Sequence, residues 1–67
     1  MNIKDVGELI RKRRGSLRID QHTLSEISGI AVHTLSNIEA GKGNPTVATL
    51  DRVLDAVGME LRIQVKQ

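Results

Sequence analysis

The stretch QHTLSEISGIAVHTLSNIEA, residues 21–40, reads as two short helices joined by a tight turn at Gly29. Leu24, Ile27, Ile30, Leu35 and Ile38 recur at helical spacing, and their side chains mark the inward faces of both segments. Asp20 stands where an N-cap is needed for the first of them. Gly29 can adopt the left-handed conformation that stops that helix, and Gly41 can stop the next one. Ser25 is small at the point where the two helices must approach closely. A second helix held proud of a domain by such a turn is the layout of a helix-turn-helix.

The outer face of that second helix is distinctive. With Leu35 and Ile38 inward, Val32, His33, Ser36, Asn37 and Ala40 share the opposite side at three- and four-residue spacing. An ordinary solvated helix face carries Lys and Glu; this one is short, polar and free of long charged chains. Short side chains let a helix sit deep in a major groove. Asn37 can pair bidentately with adenine, His33 can donate or accept at a base edge, Val32 can touch a thymine methyl, and Ser36 can donate or accept. Without Arg or Lys on this face, guanine reading is weak, so the readout leans toward A/T pairs or duplex shape.

The flanking sequence supplies a frame. Ile3, Val6, Leu9 and Ile10, with Arg13 near the same stripe, predict a first helix over about residues 2–14, broken by GSLRI. After the loop GKGNP, a fourth helix starts at Thr46, buries Val47, Leu50, Val53, Leu54 and Val57, and stops at Gly58. In the tail MELRIQVK, apolar Met59, Leu61, Ile63 and Val65 alternate with polar residues, which predicts a strand. A lone strand leaves its backbone groups unpaired. Its simplest partner is the same strand of a second copy, antiparallel about a two-fold axis. The expected fold class is therefore all-α: four helices plus a C-terminal β-strand that pairs between subunits. Residues 1–58 form the DNA-binding domain and 59–67 the dimerisation strand.

Composition narrows the alternatives. A chain of 67 residues has a small core that benefits from a partner subunit. There is no Cys, so disulfides and thiolate metal sites are out, and with no Phe, Tyr or Trp the core must be aliphatic and aromatic base stacking is unavailable. No segment is apolar enough for a signal peptide or a bilayer span, and a cytoplasmic location is expected. Residues 1–18 hold six basic side chains against two acidic ones, a net +4, while the remainder sums to −2. That asymmetry suits a polyanionic partner. Few of these cations fall near the expected contact surface: Lys42 and part of the Arg11 to Arg18 cluster. The salt dependence of binding should accordingly be modest and a monomer should bind weakly.

With these residues in view, GELIRKRR, DQHTLSEISGIAVHTLSNIEAGKGNP and TVATLDRVLDAVG together resemble the Cro and phage-repressor (XRE-type) helix-turn-helix family over about residues 6–58. The resemblance implies a lambda-repressor-like bundle and a sequence-specific regulator of transcription, a repressor acting as a homodimer on an inverted-repeat operator. It implies that Val32, His33, Ser36 and Asn37 read bases. Gln21 binds a phosphate and braces the reading helix, and Thr34, Lys42 and Asn44 touch the DNA backbone. Arg14 and Glu39 match a family pair that ties the first helix to the third. The family's fifth helix is replaced here by the strand, as in HipB-like antitoxins, which makes a toxin a possible second partner. Ala31 departs from the Ser, Thr or Asp that relatives place before the reading helix.

Other occupations compete. The alternatives are a stand-alone phage or restriction–modification controller-type regulator and, less favoured, a helix-turn-helix used only for protein–protein contact, for which the uncharged face leaves room. An enzyme is not expected: His22 and Glu26 lie four apart and His33 lies on another helix, a thin set for a metal, and no nucleophile–base–orienter group is visible. No cofactor, metal or small-molecule ligand is implied.

Overall fold

The computed structural model describes residues 2–66; Met1 and Gln67, the outer ends of the two expected domains, lie outside the described residues. Four helices follow one another: α1 (Ile3–Ser16), α2 (Gln21–Ser28), α3 (Val32–Glu39) and α4 (Val47–Ala56). Three start on side-chain caps. Asn2 accepts from the Asp5 N–H, Asp20 from that of Thr23 and Thr46 from that of Thr49. At Ala31 no side chain caps α3.

Three of the four helix ends share one device. Gly41 and Gly58 take left-handed backbone, and the next residues, Lys42 and Met59, donate their N–H groups to Asn37 and Leu54 at 2.8 Å. This six-to-one closure satisfies carbonyls that the helix leaves open. The same closure ends α1, with Arg18 at φ 57 in the glycine position and Ile19 donating to the Arg14 carbonyl. Because no Gly announces it, α1 runs to Ser16, two residues past the end that the sequence predicts.

Val6, Ile10, Leu24, Ile30, Leu35, Ile38, Val53, Leu54 and Val57 form the core, with Leu50, Met59 and Leu61 packed partly against it. α1 packs on α3, while α2 packs on both α3 and α4. The α1–α3 crossing depends on Gly7, where a Cβ would collide with the Ile38 carbonyl oxygen. Only a residue without a side chain lets the backbones come that close.

Three expectations need correcting. Ile27 does not face inward; it is 58 % exposed, because Leu24 and Ser28 occupy the buried stripe of the two-turn α2. Val47 is not buried but 68 % exposed, since the first turn of α4 projects beyond the core. Among the described residues there is no β-strand: residues 59–66 join no ladder. The alternation is nonetheless partly real. Met59 and Leu61 pack down beside Val6, Leu9 and Leu54, whereas Ile63 and Val65 are 96 % and 92 % exposed. Arg62 and Glu60 pair at 2.7 Å on the outward side. A strand's hydrogen bonds need a neighbour, and a single subunit offers none here.

Candidate nucleic-acid interface

The turn between α2 and α3 rests on two residues. Gly29 takes the left-handed conformation at φ 73, and its N–H reaches the Ser25 carbonyl. Ser28 is buried; its hydroxyl donates to the Leu24 carbonyl at 2.7 Å and accepts from the Ile30 N–H at 3.2 Å. A buried hydroxyl is tolerated when both its roles are filled. The sequence reading passes over Ser28, since a serine at a helix end looks like an ordinary terminus; only its burial shows that it pins the turn.

Behind the turn, Arg14 and Glu39 fix α3 against α1. The Arg14 guanidinium meets both carboxylate oxygens of Glu39 at 2.8 Å and donates a third bond to the Ile19 carbonyl at 3.0 Å. Gln21 donates its side-chain amide to Glu39 at 3.3 Å. Burial pushes the Glu39 carboxyl up, but the hydrogen bonds from Arg14 and Gln21 and the charges of Arg14 and Arg11 outweigh it and hold the group below the ordinary glutamate range. α3 is therefore held in a set orientation by a buried, fully bonded carboxylate near its C-terminal end.

What α3 presents is the set expected from the sequence. Val32, His33 and Ser36 are exposed and Asn37 is half-exposed, while Leu35, Ile38 and Glu39 are buried. The Asn37 amide and the His33 ring lie 3.4 Å apart, one turn along the same face. Two open grooves flank the helix. Thr34, Asn37, Lys42 and Asn44 line one of them, so the glycine closure that ends α3 also sets Lys42 and Asn44 beside Asn37. Gln21, Arg11, Ser36 and Ala40 line the other, over the Arg14–Glu39 pair. Seven of the eight residues expected to meet DNA line a groove or share in that contact; Val32 stands at the exposed start of the same helix. Of the four tail residues expected to act in dimerisation, Met59 and Leu61 pack partly against the core, and Ile63 and Val65 are exposed.

His22 and Glu26 form an exposed i,i+4 pair at 3.2 Å, and among the described residues no cluster of three or more His, Cys, Asp or Glu is placed to hold a metal. No helix among the described residues is long and apolar enough to cross a membrane.

A protruding helix with a short polar face, set by a glycine turn and braced from behind, defines a helix-turn-helix DNA-binding protein. A family model described as helix-turn-helix (HTH_3) matches residues 10–64, most of the chain, and the chain belongs to that family, the XRE type to which Cro and the phage repressors belong. It is a DNA-binding regulator of this type, in a family of regulatory domains rather than enzymes. No curated protein matches the chain.

Proposed function

We propose that the protein is a homodimeric repressor that recognises an inverted-repeat operator by inserting α3 into successive major grooves. The observation that carries this reading is the uncharged outward face of α3 between two open grooves. A major groove is about 12 Å wide and walled by two phosphate backbones. A helix seated in it needs base-edge chemistry along its crest and backbone-binding groups along both flanks. Val32, His33, Ser36 and Asn37 supply the crest. Gln21 serves one flank, and Thr34, Lys42 and Asn44 serve the other.

The dimer is supported by the tail. Ile63 and Val65 continue the apolar alternation of Met59 and Leu61 into solvent, and covering such residues is favourable. Antiparallel pairing of residues 59–67 from two copies would cover them and supply the missing ladder. It would also set two α3 helices on half-sites about 34 Å apart. A HipB-like antitoxin role, with a toxin as second partner, rests on the same tail.

Selection of bound fragments from a random DNA pool tests the proposal. Enrichment of an inverted repeat with half-sites one turn apart is expected. Failure to enrich any sequence leaves the protein-interaction reading in its place.

A further inference from the structure

The groove between α1 and the reading helix raises a question of charge. Its floor is the Arg14–Glu39 pair, in which the cation is already matched by the buried carboxylate. Its rim carries Ser36 and Ala40 from α3 and Gln21 from α2, and the Gln21 amide is turned partly toward Glu39. A phosphate arriving on this flank meets one cation that is bonded to no carboxylate, Arg11. That side chain is exposed, and among the described residues it takes part in no ion pair. The rest of the basic cluster is directed elsewhere. Arg13 donates to the Val57 carbonyl at 2.8 Å, capping the end of α4. Arg18 lies beyond the end of α1, in its closing turn, and does not line this groove. Lys12 follows Arg11 in the chain but lies about 100° further round α1, on its solvent side.

The geometry points to Arg11 as a DNA-phosphate ligand: with Gln21 and Ser36 it forms the backbone seat on the α1 flank of the reading helix, opposite the seat made by Lys42 and Asn44. This rests on the reading of α3 as the helix that enters the groove, and it adds the cation that flank otherwise lacks. Two seats of similar charge on either side of α3 centre the helix between the two strands. A single charged flank would tilt it toward one. A guanidinium reaches and bridges phosphate oxygens well, and such a contact is blind to sequence.

The test measures binding of the full chain to a short duplex of mixed sequence and to the duplex enriched by selection, by fluorescence anisotropy between about 50 and 200 mM salt. Arg11→Gln is expected to reduce the slope of log K against log salt by about 0.9 per bound subunit and to weaken both duplexes by the same factor. Arg11→Lys should keep the wild-type slope, and so should Lys12→Gln. Thermal melts of Arg11→Lys and Lys12→Gln should match the wild type, and Arg11→Gln, which removes a charge acting on Glu39, should lower the melt only slightly. An unchanged slope for Arg11→Gln overturns the assignment, and so does an equal loss for Lys12→Gln, which would mark a general effect of net charge. If the wild-type chain binds neither duplex, the DNA reading of α3 falls and takes this one with it.

Discussion

Arg14 and Glu39, 25 positions apart in the chain, close a two-pronged ion pair with both prongs at 2.8 Å, and the carboxylate side chain is 4 % exposed. Removing one member strands the other. Arg14→Ala leaves a buried carboxylate without its cation, a change that costs about 3–5 kcal/mol in such settings. For a domain whose total stability is on the order of 5 kcal/mol, that is most of it. Urea unfolding is expected to show the loss. Arg14→Lys should recover only part of it, because an ammonium cannot reproduce the fork and also reach the Ile19 carbonyl.

The same pair sets a pH dependence. Glu39 is held below its ordinary range, so the unfolded chain takes up the proton first as the pH falls. Its contribution is complete above the unfolded value, roughly pH 4.3, and is lost as the pH drops through the lower folded value. Unfolding free energy measured from pH 6 down to about pH 3 should decline in that window. In Glu39→Gln the decline should be shallower, and if it is as steep the contribution lies with other carboxylates.

Two glycines of α1 give opposite results. Gly7→Ala sets a methyl against the Ile38 carbonyl and pushes α1 off α3; overpacking of this kind costs about 1–3 kcal/mol and more where backbone must move. Gly15 has open space around its Cβ position, and alanine there should stabilise by roughly 0.5–1 kcal/mol through helix propensity. Calorimetry of the two variants checks the sign of each.

The uncapped start of α3 can be repaired. Ala31 has φ −59 and ψ 144, an extended geometry compatible with a capping side chain. Ala31→Ser should raise stability by about 1 kcal/mol, and Thr46→Ala should lower it by a similar amount at α4. Equal melting temperatures for wild type and Ala31→Ser would show that another group already satisfies the α3 terminus.

Deleting residues 59–67 tests the tail. The proposal expects a monomer by analytical ultracentrifugation and the loss of most operator affinity. It also expects lower stability, since Met59 and Leu61 pack on the core of their own subunit. Ile63→Ser with Val65→Ser separates the two effects, because neither side chain touches that core. A double variant that stays dimeric and binds normally removes the strand pairing.

Much of this protein was legible in its residues. Asp20, Thr46, Gly29, Gly41 and Gly58 mark helix starts and stops because caps and left-handed turns are local demands that few residue types meet. The outward face of α3 was legible because Leu35 and Ile38 fix which side of the helix is buried. The family resemblance pairs Arg14 with Glu39, and the two meet as an ion pair. Other features depend on which neighbour a side chain meets in three dimensions. Ile27 and Val47 have apolar side chains at helical spacing, yet their helices present them where no other element stands. Ser28 became a brace, Gly7 a crossing point and Arg11 a groove wall only once α1, α2 and α3 were packed. The tail shows the division most plainly: its alternation is a strand pattern, but whether such a segment becomes a strand depends on a hydrogen-bonding neighbour, which lies in tertiary or quaternary structure and not in the segment itself.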